Sequence, residues 1–168
     1  MKEMLFEIKE HYGVLGNSST GMTKEVNLVA WNEGIAKVDI RKWSQDHVHM
    51  SRGVTLKQEE VKRLYQLLEL SLEQIDEITT SPSKSMETEI GKGREIVFEI
   101  VKYIGNIATY STGWSKELNF VKWNEEPPAM DIRDWSIDHN HMSGGISLNK
   151  EESFALYQIL KNICAKMF

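Results

Sequence analysis

Arg41 and Trp43 stand two residues apart in the run D-I-R-K-W. The alternation of apolar residues around them predicts a β-strand over 37–43, and residues two apart on a strand share one face. Bases of single-stranded nucleic acid stack on aromatic rings at about 1–3 kcal/mol per base, while arginine and lysine follow the phosphates. The pair therefore indicates a surface for single-stranded nucleic acid, with weak base preference because every base has a π-face.

This run belongs to a longer segment that occurs twice. Residues 38–56 and 130–148 match at a shift of 92 positions, which is the difference between Trp135 and Trp43. The match extends in both directions without a gap, and roughly half of the paired positions are identical, a level typical of repeats and not of chance. The chain is therefore interpreted as a tandem duplication.

The repeat divides the 168 residues into two small units. We expect a first copy over 1–78, a polar linker over 79–94 and a second copy over 95–168, called copy 1 and copy 2 below. A domain of about 70 residues buries only about 60% of its unfolded surface and is marginally stable alone. The copies are therefore expected to pack together as an intrachain pseudo-dimer with an approximate two-fold axis.

Each copy has the pattern of three strands, a short fourth strand and a helix. The short strand of copy 1 is predicted around Gly53–Thr55, and the helix N-caps are predicted at Thr55 and Ser147. The fold class is therefore α+β, with a curved four-stranded antiparallel sheet followed by a C-terminal helix in each copy.

Composition restricts the function classes. The hydrophobic content is 40% and no apolar run approaches the roughly 20 residues of a membrane span, so neither a membrane span nor a secretory signal is expected. Cys164 is the only cysteine, which excludes an intrachain disulfide and favours a cytoplasmic location. The net charge of −5 requires any nucleic-acid site to be a local basic surface.

The residues leave several alternatives open. Tryptophans of small domains are often core residues, and Arg41 could pair with Asp39 or Glu25 across strands. Histidines two apart, as in the D-H-x-H runs at 46–49 and 138–141, could ligate zinc with a nearby carboxylate. No further ligand lies at suitable spacing within each copy, and no catalytic motif is present. We therefore expect no metal, no cofactor and no enzymatic activity, and a metal-assisted enzyme is the weakest alternative.

The sequence as a whole resembles a known family. The order D-I-R-x-W, then D-H-x-x-M, then G-[IV]-[ST]-L with acidic residues and a helix is similar to the single-stranded-DNA-binding domain of the transcriptional coactivator positive cofactor four. Bacterial YdbC-type members are the most similar, through the segment 112–119 with Val121 and Trp123. The resemblance covers nearly all of both copies. It implies homodimer-like packing of the helices and channels for single-stranded DNA formed by the two sheets.

The resemblance also implies roles for individual residues. The arginine and tryptophan of D-I-R-x-W line the channel, the tryptophan that ends the preceding strand stacks on bases, and the lysine of K-E-[LV]-N meets phosphate. The predicted nucleic-acid-binding residues are Lys24, Trp31, Arg41, Trp43 and Arg52 in copy 1, and Trp114, Lys116, Trp123, Arg133 and Trp135 in copy 2.

Three positions differ between the copies. Gly144 replaces Arg52, Asp134 replaces Lys42, and Trp114 replaces Met22. We expect copy 1 to grip the backbone more strongly and copy 2 to rely on stacking.

The resulting hypothesis is a non-enzymatic bacterial protein that binds single-stranded DNA largely independently of sequence. It would serve transcription regulation as a coactivator, or DNA replication and repair, in the nucleoid region of the cytoplasm, with further oligomerisation left open. RNA is an alternative ligand, because no feature reads a 2′-hydroxyl. A protein-interaction module that uses the sheet face is the alternative of a different class.

Overall fold

The computed structural model describes residues 5–18, 20–75, 87–89 and 95–167, without the side chains of 87–89 and 95–96. In copy 1, three strands and a short fourth strand precede a helix and one 3-10 turn. Their bounds are β1 Phe6–Asn17, β2 Thr23–Trp31, β3 Lys37–Trp43, β4 Val54–Leu56, α1 Gln58–Ser71 and the 3-10 turn Leu72–Gln74.

Copy 2 repeats this order behind one additional short strand. The bounds are β5 Glu87–Glu89, β6 Glu95–Thr109, β7 Ser115–Trp123, β8 Ala129–Trp135, β9 Ile146–Leu148 and α2 Lys150–Met167. Neighbouring strands are antiparallel in the orders β1-β2-β3-β4 and β5-β6-β7-β8-β9. The predicted α+β fold class is confirmed. Strand β5 lies inside the predicted linker, and the rest of 79–94 lies outside the described residues.

The long first strand of each sheet is irregular at equivalent places. The β1–β2 register shifts three times, between Ile8 and Glu10, between His11 and Gly13, and between Val14 and Gly16. The β6–β7 register shifts at the positions 92 residues later in the chain. Such bulges bend a strand and increase its twist, so both sheets curve in the same way.

The helices begin two residues later than the sequence predicts. Helix α1 starts after Lys57, whose backbone N–H donates to the Glu60 carboxylate at 3.0 Å. The predicted N-cap Thr55 instead donates its hydroxyl to Asp39 at 2.9 Å. In copy 2, the Ser147 hydroxyl donates to Asp131 in the same way, and Asn149 caps α2. The N-cap prediction was wrong because a buried carboxylate on the adjacent strand competes for these hydroxyls.

The core is shared between the copies. The apolar residues beneath both sheets and on both helices form a continuous cluster, and Tyr65 stacks on Tyr157 at 5.4 Å where α1 meets α2. Each helix also crosses the first strand of the other copy. A Cβ at Gly13 would lie 2.8 Å from Ile159 Cδ1, and a Cβ at Gly105 would lie 2.7 Å from Leu67 Cδ2. These glycines therefore allow the close approach, and the expected intrachain pseudo-dimer is confirmed.

None of the helices described here is long and apolar enough to cross a membrane.

Candidate nucleic-acid interface

Each sheet has one face packed against the helices and an opposite face, called here the groove face. In copy 1, the groove face carries Glu25 and Asn27 on β2 and Asp39, Arg41 and Trp43 on β3, because these residues alternate with the core residues of both strands. A predicted site residue can bind a ligand only where its side chain is accessible on this face.

The D-I-R part of the motif forms a buried ion pair. Arg41 donates from Nε and Nη2 to the two carboxylate oxygens of Asp39, at 2.7 and 2.8 Å, and from Nη1 to the carbonyl of Ser51 at 3.2 Å. The side chain of Asp39 is fully buried and that of Arg41 is 13% exposed. In copy 2, Arg133 binds Asp131 and Ser143 with nearly identical geometry.

The Asp39 carboxyl is shielded from water, and its pKa shows the effect of this burial. Burial raises the pKa of Asp39 above its ordinary value, although hydrogen bonds from Arg41 and Thr55 act in the opposite direction. Arg41 neutralises the buried carboxylate of Asp39 on the same strand. Most of the positive charge of its guanidinium is therefore balanced inside the protein. The motif arginines are therefore weaker phosphate ligands than their residue type indicates.

The arginine also holds an aromatic ring in place. The guanidinium carbon of Arg41 lies 4.7 Å from the ring centre of Trp31, and that of Arg133 lies 4.7 Å from the ring centre of Trp123. Both indoles are only partly buried. Because the guanidinium is itself fixed by a buried carboxylate, each copy presents a rigid, partly exposed indole.

The second tryptophan of each motif is sealed inside the protein. Trp43 and Trp135 are 0% exposed. The ring of Trp43 contacts Phe6 at 5.1 Å and His47 at 5.6 Å, and Met50 pairs with it across the sheet edge. The expectation that these two indoles stand out from the sheet was wrong. Alternation identifies residues that share a face, but the bent first strand and the following turn cover this part of the groove face.

The two predicted phosphate-binding lysines join the copies instead. Lys24 Nζ donates to Glu152 Oε1 and to the carbonyl of Ser147, both at 2.8 Å. The equivalent Lys116 donates to Glu60 Oε1 at 3.1 Å and to the carbonyl of Thr55 at 2.8 Å. In this geometry each ammonium already has a carboxylate and a carbonyl partner, and phosphate binding by these lysines stays a prediction. Each ammonium is held by the first turn of the other copy's helix, whose carboxylate also caps that helix.

The first histidine of each D-H-x-H run shapes a turn. His47 and His139 have φ of 59°, in the left-handed region that non-glycine residues seldom occupy. The Nε2 atom of His47 lies 2.9 and 3.1 Å from the carboxylate oxygens of Glu25. Among the described residues, no group of three His, Cys, Asp or Glu side chains is arranged to hold a metal ion.

Glu25 carries the negative charge of the copy 1 groove. Burial acts to raise its pKa, but hydrogen bonds from Thr23, His47 and Asn27 outweigh burial and leave the pKa below its ordinary value. The carboxylate is therefore ionised at neutral pH and repels phosphate. A strand in this groove would have to present its bases, not its backbone, to this side of the sheet.

Two residues with access to the groove were missed by sequence reasoning. His11 and Tyr103 are equivalent under the shift of 92 and lie opposite Asn27 and Asn119 on the groove face. The His11 side chain is 51% exposed and Tyr103 is 54% exposed. The signal was available in the sequence, because both rings fall at one repeat position, but a bulged strand hides the alternation that would assign them to a face.

The remaining predicted residues are accessible to different degrees. Arg52 is exposed beside Gly144 of copy 2, and Trp114 is partly exposed. The copy 1 groove also contains a cavity of about 480 Å³. It is lined by Ile8, His11, Val14, Thr23, Glu25, Asn27, Gln45 and His47.

Comparison with known proteins places copy 1 in a family. The sequence model of Transcriptional Coactivator p15 (PC4) matches residues 18–67, which run from the turn after β1 into α1. The match covers one copy, so the duplication rests on the internal repeat and on the two equivalent sheets.

A curated relative supports the assignment. An uncharacterized protein of Treponema pallidum (strain Nichols) is 36% identical over 66 residues, which are 39% of this chain and 78% of that protein. That protein is long enough for one copy and too short for two. The PC4 domain is a non-enzymatic fold that binds single-stranded DNA in transcriptional coactivators. The chain belongs to the Transcriptional Coactivator p15 (PC4) family.

Proposed function

We propose that the chain binds single-stranded DNA on the groove faces of its two sheets, with little base preference. The observation that carries the proposal is the guanidinium-supported indole, Trp31 with Arg41, repeated at 4.7 Å as Trp123 with Arg133. A fixed aromatic ring loses little conformational entropy when a base stacks on it. Family membership supports the same ligand.

Stacking contributes more to this proposal than phosphate pairing. The motif arginines and the lysines at one repeat position, Lys24 and Lys116, have carboxylate partners inside the protein. The net charge of −5 also disfavours long-range attraction of a polyanion. We therefore expect a shallower salt dependence than in proteins that neutralise six to ten phosphates, which lose about 10³–10⁵ in affinity between 50 and 200 mM salt.

The two grooves are proposed to differ. Copy 1 offers His11 and the exposed Arg52, whereas copy 2 offers Tyr103 and Trp114 at the repeat positions of His11 and Met22. Copy 1 then contributes more to backbone contact and copy 2 more to stacking. A cytoplasmic, nucleoid-associated role in transcription regulation, replication or repair is part of this proposal.

The test is a fluorescence titration of full-length protein with single-stranded DNA, duplex DNA and single-stranded RNA at two salt concentrations. Trp31→Ala and Trp123→Ala should each weaken single-strand binding about 5- to 150-fold, the equivalent of 1–3 kcal/mol per stacked base. The matched control is Phe154→Ala, which removes an exposed aromatic ring from α2 and should leave affinity unchanged.

The outcomes separate the alternatives. Equal binding of duplex and single strand, or unchanged affinity in both tryptophan variants, contradicts the proposal. Tighter binding of RNA than of DNA identifies the other nucleic acid as the ligand. If the protein binds no oligonucleotide at all, the sheet face becomes a candidate for protein interaction.

A further inference from the structure

Two equivalent positions of the copies, 52 and 144, face each other across the pseudo-two-fold axis. The side chain of Arg52 lies against the backbone of Gly144. A Cβ built on Gly144 would be 2.4 Å from Cδ of Arg52 and 3.0 Å from its Cβ. The Cδ could swing away, but the Cβ cannot, because it is fixed to the backbone. Any side chain at 144 therefore competes with Arg52 for the same space.

The requirement for glycine does not come from backbone strain at this site. Among the described residues, the glycines with positive φ are Gly21 and Gly113, so Gly144 has a conformation open to other residues. Its missing side chain is explained by the arginine of the other copy. In a pair of two identical copies, position 52 would meet itself, and two arginines would occupy the space that one now fills.

The residues beside positions 52 and 144 also differ in charge between the two copies. Lys42 lies beside the Arg52 loop, since its backbone pairs with Ser51. It is also opposite Lys24, whose ammonium reaches copy 2. Copy 1 therefore contributes Lys24, Lys42 and Arg52 near this contact, and its Glu60 accepts a hydrogen bond from Lys116 of copy 2.

Copy 2 has the complementary set. Asp134 pairs with Ser143 beside Gly144, and it lies opposite Lys116, whose ammonium reaches copy 1. Asp134 accepts a hydrogen bond from Tyr110 at 3.1 Å. Burial, Asp134 and Glu60 of copy 1 raise the pKa of Tyr110 above its ordinary value. Copy 2 thus contributes Asp134 beside Gly144, and its Glu152 and Lys116 pair with Lys24 and Glu60 of copy 1.

We infer that Arg52 with Lys42 in copy 1 and Gly144 with Asp134 in copy 2 form a heterotypic pairing element that selects a copy 1–copy 2 interface. Pairing of two first copies places two arginines in one space beside two further lysines. Pairing of two second copies leaves the space now filled by Arg52 empty, with an aspartate in the strand beside each Gly144. Like charges brought together at an interface oppose association, so the mixed pair is favoured in shape and in charge. This inference is independent of nucleic-acid binding.

The test is a double-mutant cycle at the two positions in the full-length chain, read by thermal unfolding. Gly144→Arg should lower the midpoint by about 2–12 °C, as expected for overpacking in a protein of this size. Arg52→Gly alone should have a smaller effect. The swapped variant, R52G combined with G144R, should recover at least half of the loss, because one arginine again faces one glycine.

Gly144→Ala keeps the test decisive if Gly144→Arg does not fold. Alanine at 144 should lower the midpoint when Arg52 is present and not when position 52 is glycine. Equal losses in both backgrounds would overturn the inference, since the defect would then lie within copy 2 itself. Asp134→Lys should lower the midpoint more at low salt than at high salt. A salt-independent loss would overturn the electrostatic half of the inference.

Discussion

Copy 1 and copy 2 are nearly identical around the buried ion pair of each sheet and differ considerably at their edges. The ion pair beneath each indole has the same partners and distances within 0.1 Å in the two copies, 2.7 and 2.8 Å against 2.6 and 2.8 Å. At the pseudo-axis and on the groove rims, arginine faces glycine, lysine corresponds to aspartate, and histidine corresponds to tyrosine. The ion pair is fixed by the same buried carboxylate in both copies, whereas these rim positions differ in charge and size.

The largest expected effect tests whether the buried indoles of Trp43 and Trp135 contribute equally to stability. Trp43→Ala and Trp135→Ala should each reduce the free energy of unfolding by about 3–5 kcal/mol, because each removes a fully buried indole. Chemical denaturation measures the loss. Since both rings pack on a phenylalanine and a histidine, the two values should agree within about 1 kcal/mol.

A comparison with the outer indoles sharpens this result. Trp31→Ala and Trp123→Ala should cost less stability and more affinity than the inner pair. If the inner variants lose single-strand binding while remaining fully folded, the inner indoles take part in binding despite their burial.

The next effect concerns the lysines that cross between copies. Lys24→Met and Lys116→Met should destabilise the fold by about 1.5–3 kcal/mol, the range for a lost hydrogen bond to a charged group. Lys116→Met should cost more, because the Lys116 side chain is 9% exposed and that of Lys24 is 15% exposed. Denaturant midpoints of both variants measure the difference, with Lys122→Met as the control on the same strand as Lys116. Equal losses would show that the small difference in burial carries no energetic weight.

The pH dependence of stability tests the copy 1 groove. The pKa of Glu25 is lower in the folded protein than its ordinary value of 4.5. The ionised carboxylate therefore contributes stability that is present above that ordinary value and is lost as the pH falls through the folded pKa. Glu25→Gln should flatten the acid limb of a stability–pH profile between about pH 5 and pH 2. An unchanged acid limb would contradict the role of the hydrogen bonds from Thr23 and His47.

The smallest expected effect separates the rims. Arg52→Ala should weaken single-strand binding a few-fold and reduce the slope of log affinity against log salt by about 1, as for loss of one phosphate contact. Trp114→Ala should weaken binding without changing the slope, because stacking releases no counterion. Equal slopes for the two variants would contradict the proposal that copy 1 contributes more to backbone contact and copy 2 more to stacking.

Most of the fold follows from local pattern. Strand β3 begins and ends at the predicted residues, because alternation and the flanking turn residues define it. The helix starts were misplaced by the preference of Thr55 and Ser147 for a strand carboxylate. That preference depends on a contact between residues 16 positions apart, which local capping rules do not include.

The site was less predictable because exposure is a property of the assembled chain. The alternation of β3 correctly groups Asp39, Arg41 and Trp43 on one face, yet the covering of that face depends on a bulged strand and a turn from elsewhere in the copy. Lys24 meets Glu152 from 128 residues away, on a helix of the other copy. No pattern within one copy could report that partner.

The repeat, the strand periodicity and the motif order can all be read from the order of residues along the chain. They were sufficient for the duplication, the α+β class and the family resemblance. Burial and charge pairing depend on which surfaces meet after folding. Packing within each copy therefore decided that two tryptophans are buried, and the docking of the copies decided that two lysines pair inside the protein, while the indoles of Trp31 and Trp123 keep access to solvent. The physical reason is that desolvation and ion pairing act through distance in space, which separation along the chain does not specify.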